Sequence, residues 1–349
     1  MRTEVVILNW NTKNYLEAFL PGVISSCEGR DASVVVADSA STDGSLQFMR
    51  ERFPEVECIA LDANYGFTGG YNRALDGRDA EYFILLNSDI EVGQDWLDPL
   101  IAWMDSHPEC AACGPKLLSW QDKGSFEYAG AAGGYIDALG YPFCRGRVLS
   151  RVDRDHGQYD RPSPVLWATG ACLCVRANVW KELGGLDDRF FAHMEEIDFC
   201  WRARLSGYEI SVVPQSVVYH LGGGTLPKES PFKLKLNFRN SLLLMDKNLA
   251  ATYAAEGRST TLAKAAIRLR KLLDWGSALV YLLQGKASFA KAVAEAHKEY
   301  RKLRNEPGPQ AIEGRKARLA GFSQVFIILQ SAIRGQGVFE YLRRHEDSY

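Results

Sequence analysis

The chain has 349 residues, 46% of them hydrophobic and 24% charged, so it can bury a large core, is not disordered, and is long enough for about two domains. Its formal net charge of -2 conceals a split: residues 1–230 hold 20 Lys and Arg against 33 Asp and Glu, a balance of -13, whereas residues 231–349 hold 21 against 10, or +11. No run approaches the 18 apolar residues of a membrane span (Val325–Leu329 is the longest late in the chain), and Met1-Arg2-Thr3-Glu4 opens no signal peptide, so the expected location is the cytoplasm.

In chain order, Glu4–Leu8 is a β-branched strand, Tyr15–Ile24 a helix and Ser33–Ala37 a second strand leading into the turn-rich Asp38–Gly44. Leu46–Phe53 reads as a helix stopped by Pro54, Val56–Leu61 as a strand, Phe67–Asp76 as a helix that opens with glycines, and Tyr82–Leu86 as an apolar strand ending at Asn87-Ser88-Asp89. Strands alternating with helices predict an α/β fold with a parallel or mixed sheet covered on both faces. Ligands of such sheets bind at the carboxyl ends of the strands. The polar clusters Asn9–Asn11, Asp38–Asp43 and Asn87–Asp89 fall at those ends.

From about Trp120 to Pro164 the pattern is loop-rich. Its glycines read as flexible turns rather than a phosphate loop, and the aromatic and basic residues of Gly140–Arg147 offer a weak case for an acceptor wall. Val165–Val175 resumes strand character, Ala177–Leu183 is a short helix, and Glu196–Leu205 is an amphipathic helix with Gly207 as its C-terminal cap. Ile210–Val213 and Ser216–Tyr219 are strands leading to His220. Beyond Pro231 the strand signals fade. Leu234–Asn248, Leu262–Leu283, Phe289–Leu303 and Ala317–Ile333 read as amphipathic, Lys/Arg-rich helices, so the chain divides into 1–228 and a basic helical region 229–349.

Cys110 and Cys113 have CxxC spacing without a second CxxC or a His pair nearby, and read as packed thiols rather than a metal or redox site. Asp43 precedes a helix and reads as a turn or cap residue, whereas Asp38 at a strand tip is placed to accept from a uracil- or thymine-like N–H. A carboxylate held at the end of Tyr82–Leu86 can bind a hard divalent cation that also touches a diphosphate, which singles out Asp89. His220 ends another strand, and imidazole suits manganese better than magnesium. Glu195, Glu196 and Asp198 lie in a helix's first turn, where the dipole favours acids. Asp198 has Arg202 as an i,i+4 partner and reads as structural. Glu195 and Glu196 have no such partner, and an acid free of ion pairing at the mouth of a sheet can serve as a general base.

These segments together resemble the inverting glycosyltransferases of family 2, with a GT-A fold and a rhamnosyltransferase-like bacterial subgroup nearest in pattern. The resemblance rests on Val5–Asn11, Val36–Ser45, Asn64-Tyr-Gly-Phe-Thr-Gly-Gly-Tyr-Asn72, Leu85–Asp89, Ala168–Ala171, Gly184–Asp187, Phe190–Arg202 and Val218–His220, in that order. It implies a mostly parallel central sheet, a nucleotide-diphosphate sugar as donor, and a glycan or lipid-linked hydroxyl as acceptor in surface polysaccharide synthesis. It implies donor-binding roles for Asn9, Asn11, Asp38, Asn64, Gly66, Gly70, Asn72, Asn87 and Ser88. Asn87-Ser88-Asp89 stands where the family has Asp-x-Asp, so Asp89, with His220, would hold Mn2+ or Mg2+, Asn87 offering a neutral group in place of the first acid. Glu195-Glu196 stands where the family usually has Glu-Asp, which makes Glu196 the base.

A nucleotidyltransferase is the competing enzyme class, but it gives no reason for Glu195-Glu196 at a helix start. A non-catalytic sugar-nucleotide-binding protein is the competing binder, with Asn87 its best argument. No zinc-finger or RNA-binding pattern supports nucleic acid as the partner of the basic tail. That tail reads either as a helical appendage or homodimer interface, or as a region that docks on the anionic inner face of the membrane.

Overall fold

The computed structural model describes residues 1–222, 230–314, 319–323 and 325–346; the division expected at 228/229 lies outside them. The N-terminal β-branched run forms strand β1 (Thr3–Asn9), followed by helix α1 (Lys13–Cys27), β2 (Ala32–Asp38), α2 (Ser45–Arg52), β3 (Glu57–Ala60), α3 (Gly66–Leu75) and β4 (Tyr82–Asn87). Each predicted element of this stretch is present, with ends shifted by a few residues. β5 (Ile90–Val92), α4 (Leu97–Ser106) and β6 (Cys110–Ser119) come next.

The region read as loop-rich carries five short strands, β7 (Gly134–Asp137), β8 (Pro142–Cys144), β9 (Arg147–Val148), β10 (Arg151–Val152) and β11 (Ser163–Pro164). Strands of two to four residues leave too short a pattern to be seen in sequence. The strand expected over Val165–Val175 is confined to β12 (Cys172–Arg176). Val165, Leu166 and Trp167 are buried, but Gly134 O takes the amides of Leu166 and Trp167, and the chain then turns at Thr169-Gly170. α5 (Ala177–Glu182) and α6 (Glu195–Leu205) follow. The two strands expected near Pro214 are one, β13 (Glu209–His220), with an irregularity between Val213 and Val217 where proline cannot donate.

The main sheet runs β11-β13-β6-β12-β4-β1-β2-β3, with β5 on β13. β1 is parallel to both β2 and β4, β2 to β3, and β13 to β6, while β12 is antiparallel to its neighbours β4 and β6. The chain therefore winds outward from β1 to β3 and then returns to β4 on the other side of β1, a switch point that opens a crevice at the strand tips. Alternate residues of β1 feed two cores: Val5 and Ile7 pack with Leu16, Leu20 and Leu100 on one face, Val6 with Tyr71 and Leu75 on the other.

The C-terminal region supplies α7 (Pro231–Ala255), α8 (Thr260–Leu283) and α9 (Ala287–Leu303), as expected. Leu242, Leu244, Met245 and Leu249 of α7 lie in the same core as α6 and β12. The helix expected over Ala317–Ile333 is a correction. Residues 317–318 lie outside the described set, Phe322-Ser323 is a strand, β14, parallel to β7, and the helix α10 covers only Ile327–Arg334 before α11 (Val338–Arg344). Gly321, at φ +91, is the physical reason: a Cβ there would lie 2.4 Å from Leu166 N, so the chain threads against the core instead of coiling. No helix of the described residues is long and apolar enough to cross a membrane. All eight cysteines are free, Cys110 and Cys113 fully buried among them.

Candidate active site

Parallel pairing sets Asn9 opposite Asp38 and Leu8 opposite Asn87, so the tips of β1, β2 and β4 end level with one another. Asn9 is fully buried there, and its amide donates to Asp38 Oδ2 at 2.6 Å and to Ser41 Oγ at 3.1 Å. Thr12 Oγ1 bridges Asn9 Oδ1 at 2.5 Å and Ser88 Oγ at 2.8 Å. Asp38 Oδ1 also takes the Ser41 amide at 2.8 Å. One network thus fixes Asn9, Asp38 and Ser88, and a carboxylate with two oxygens keeps lone pairs for a further donor. Asn11, at φ 54, accepts from Thr42 N at 2.7 Å and pins the β2–α2 turn. Asp43 accepts from Lys13 N at 2.8 Å and from Ser45, the turn role its position suggested. Burial opposes its ionisation, but those donors outweigh it and hold the acid below its usual range.

The glycine-opened helix divides in two. Asn64 Oδ1 accepts from Gly66 N at 2.9 Å, and Gly66, at φ +70, leaves room for Phe191, whose carbonyl oxygen would lie 2.5 Å from a Cβ. Gly70 faces Leu8 of β1, where a Cβ would meet Cδ1 at 2.7 Å. Asn72 is committed to Leu186, donating to its carbonyl at 2.8 Å and accepting its amide at 2.9 Å. Asn64 and Gly66 therefore border the segment before α6, while Gly70 and Asn72 join elements of the frame.

Asp89 and His220 meet as expected, with Nε2 3.2 Å from Oδ1. Sequence gave no sign of Glu127, whose Oε2 is 3.3 Å from His220 Nδ1. The imidazole is thus held between the buried Asp89 and the partly buried Glu127. Burial opposes its charge, but Asp89 and Glu127 outweigh it and push the ring up to about 10. Among the described residues no group of three or more His, Cys, Asp or Glu side chains is arranged to hold a metal ion. As the ring stands, both its nitrogens face acids, so Asp89 is the ligand the pair offers directly, and His220 could join it on a divalent cation only by giving up a proton, the remaining oxygens coming from phosphate and water.

Glu195 and Glu196 open α6 after a segment with φ of 63° at Phe191, 70° at His193 and 72° at Met194. Such left-handed backbone is costly for residues other than glycine and persists only where the surroundings impose it. Asn240 of α7 imposes it here: its buried Nδ2 lies 3.0, 2.8 and 2.7 Å from the carbonyls of Phe190, Ala192 and His193. Arg239 adds a bond to Phe190 O at 2.6 Å. Asp198, as expected, pairs with Arg202 at 2.8 Å, both fully buried.

Burial raises both glutamates: Glu195 well above the usual carboxylate range, with the charge of Glu196 adding to the effect, and Glu196 less, because backbone amides and Arg147 oppose the rise. Among the described residues Oε2 of each is buried without a hydrogen-bond partner. Gly170 lies against Glu196, with an ideal Cβ 3.3 Å from the glutamate Cβ, and Ala171 O takes the Asn87 amide at 2.9 Å. The turn before β12 therefore connects Glu196 to the tip of β4. Arg147 is fixed by bonds to Tyr128 O at 3.0 Å and Pro142 O at 2.8 Å; nothing in the sequence distinguished it from its basic neighbours.

A level row of strand tips with an ordered Asp–Asn–Ser network, a buried acid–imidazole pair and a glutamate with one unpartnered oxygen beside them agree with the sequence resemblance. The family model described as glycosyl transferase family 2 matches residues 4–135. An N-acetylglucosaminyl-diphospho-decaprenol L-rhamnosyltransferase of Mycobacterium tuberculosis is 27% identical over 282 residues, covering 76% of this chain and 90% of that one. The low-salt glycan biosynthesis hexosyltransferase Agl10 of Haloferax volcanii is 25% identical over 245 residues, 69% and 74% of the two chains. The mannosyltransferase PcManGT of Pyrobaculum calidifontis, solved with GDP-Man and Mn2+, shares the fold at a TM-score of 0.51 and 15% identity, covering 86% of this chain and 87% of its own. Residues 4–135 thus match the family 2 glycosyltransferase model, and the chain around them is similar to a rhamnosyltransferase over most of its length and shares its fold with a solved mannosyltransferase.

Proposed function

We propose that the protein transfers a sugar, of the deoxyhexose or hexose type, from a nucleotide-diphosphate donor to a hydroxyl of a lipid-linked glycan, with inversion, in the synthesis of a surface polysaccharide. The observation that carries this reading is the position of Glu196: a partly buried residue whose Oε2 is buried and unpartnered, joined through Gly170 and Ala171 to the strand tip that ends in Asn87-Ser88-Asp89. The name of the Mycobacterium relative supports both the sugar type and the lipid-linked acceptor.

Glu196 takes the proton of the acceptor hydroxyl. The oxygen attacks the anomeric carbon as the bond to the diphosphate breaks on the opposite face, so one displacement inverts the centre. Burial raises the basicity of Glu196, which suits it to the task. Glu195 is raised further, by burial and by the charge of Glu196, so the two acids resist carrying two charges side by side. Asp38 accepts from the donor's base, Asn9 and Asn11 hold the loop around it, and Asn87 and Ser88 meet the ribose or sugar. Asn64 and Gly66 form the lip on the α3 side, and Gly70 and Asn72 act through the frame. Asp89 with His220 would hold Mn2+ or Mg2+, whose charge stabilises the departing diphosphate. The Mn2+ in the PcManGT structure supports a divalent cation.

The catalytic part, 1–228, works in the cytoplasm, and the basic region 229–349 brings it to the anionic inner face of the membrane where a lipid-linked acceptor lies. The excess of cations in that region supports docking over a homodimer role. Thermal-shift screening of nucleotide sugars identifies the donor. Glu196→Ala is then expected to abolish transfer and to keep donor binding; near-normal turnover removes the assignment.

A further inference from the structure

α8 is apolar on the side that faces away from the protein. Its inward stripe is Ala263, Ile267, Arg270, Asp274 and Ala278, all buried. Residues at the same three- and four-residue spacing on the opposite side, Leu269, Leu272, Leu279 and Leu283, stand exposed, Leu272 by 68% and Leu283 by 80%. Leu273, Trp275 and Val280 widen that stripe to about half of the helix circumference. A helix side this broad and apolar is normally covered. Here one side has the protein core, and the other has nothing among the described residues.

The charges point to what covers it. The only acid of α8 is Asp274, which is buried and paired with Arg270 Nε at 2.9 Å. The exposed ionisable groups left on the helix, Lys264 and Arg268, are cationic, and Lys286 follows its C-terminus. A second short helix repeats the composition: α10 exposes Ile328, Leu329 and Ile333, contains no acid, and ends at the exposed Arg334. Both helices are tied to the turn between β7 and β8. Arg270 donates to Leu139 O at 3.1 Å, and Ile327 N donates to Asp137 Oδ2 at 3.1 Å.

We infer that the outer face of α8, with α10 beside the same turn, inserts at the interface of a bilayer leaflet rich in anionic headgroups. The leucines enter the acyl boundary, the Trp275 indole takes the headgroup level, and the flanking cations meet lipid phosphate. A second copy of the chain fits less well. The apolar side is far broader than the narrow seam of paired helices, and cations without exposed acids would face one another across a twofold axis. The inference rests on the membrane reading above and makes it specific, since docking by charge alone needs no apolar face.

The test is flotation of the full chain with phosphatidylcholine vesicles and with vesicles of phosphatidylcholine and phosphatidylglycerol in equal parts, alongside the oligomeric state by light scattering. The wild type is expected to float with the mixed vesicles. Leu272→Glu with Leu279→Glu is expected to lower vesicle affinity by about tenfold or more, because two exposed leucines no longer leave water. Lys264→Gln with Arg268→Gln is expected to lower it by several-fold and only for anionic vesicles. All these positions are on the surface, so the melting temperature is expected to stay unchanged. A leucine variant that floats like the wild type overturns insertion while leaving docking by charge standing. A wild type that binds neither vesicle overturns both. A wild-type dimer that the leucine changes dissociate assigns the face to a second copy and overturns the inference.

Discussion

The side-chain nitrogen of Asn240 lies 2.7 Å from the carbonyl oxygen of His193, two residues before Glu195. This bond crosses from the basic C-terminal region into the site, and it holds a backbone that a histidine and a methionine would not adopt unaided. The direction of the Glu195-Glu196 pair therefore depends on α7. Asn240 itself is fixed, since its oxygen accepts from Arg239 Nε at 2.9 Å.

Asn240→Ala removes the shared donor of one buried and two partly buried carbonyls. It is expected to cost about 1–3 kcal/mol of stability, the range for leaving buried polar groups unpaired. The effect on transfer is expected to exceed the effect on donor binding, because the strand-tip network does not involve Asn240. A melting curve and a comparison of kcat with donor KM check this. A fall in donor affinity with unchanged kcat contradicts the positioning role.

The two glutamates give opposite signs for catalysis and stability. A base whose pKa is raised works only once ionised, so transfer is expected to rise with pH through a value above the usual 4.5. Arg147 favours the ionised form, so Arg147→Met is expected to move that limb further to alkaline pH. For stability, an acid with a raised pKa in the folded state binds more protons there than in the unfolded chain. Its contribution is therefore complete below about 4.5 and is lost as pH climbs through the folded value. Glu195→Gln is expected to stabilise the protein at pH 8 relative to the wild type and to make little difference near pH 4. Thermal melts across that range read the gap directly.

The sequence shows the frame of this site more clearly than its contents. Asn9, Asp38 and Asn87–Asp89 were found because they end apolar strands, and the polar–apolar boundary is visible in one dimension. Glu127 and Arg147 were not: Glu127 lies in the irregular stretch between β6 and β7, which has no period to read, and Arg147 in a strand of only two residues. Asn240 lies inside an ordinary helical pattern, and its role comes only from the crossing of α7 over Phe190–His193. The misjudged helix at 317–333 has the same origin. Its apolar spacing suits a helix, but Gly321 and the β7 edge draw Phe322 into a sheet. Gly70 and Asn72 show the converse, residues recognised by pattern whose observed contacts belong to packing.

Asp89→Asn is expected to weaken donor binding in the presence of Mn2+ and to change it little without the ion. The substitution removes the carboxylate charge that would hold the cation while keeping the side chain's shape. His220 then loses one of the two acids that keep it protonated, so its pKa is expected to fall from about 10. Calorimetry with the identified nucleotide sugar, with and without Mn2+, reads the first effect, and NMR titration of the imidazole reads the second. Equal affinities with Mn2+ in wild type and variant remove Asp89 from the metal site.

A second acid sets the behaviour at low pH. Asp187 is buried, with Arg189 Nη2 at 2.6 Å and Lys247 Nζ at 2.6 Å on the same carboxylate. Burial works to raise its pKa, but those two cations outweigh it and hold the group at about 2, against the usual 3.8. An acid with a lowered folded value contributes stability that is complete above the unfolded value and disappears as pH falls through the folded one. The difference corresponds to about 2 kcal/mol, lost between roughly pH 4 and pH 2. Asp187→Asn is expected to be less stable than the wild type at pH 6 by at least that amount, because Arg189 then loses its carboxylate and Lys247 keeps only Asp198, at 2.8 Å. As pH falls towards 2 the two proteins are expected to converge. Urea unfolding at several pH values reads this as a steeper acid limb for the wild type, and parallel limbs would show that Asp187 is not held by its cations in the way the structure describes.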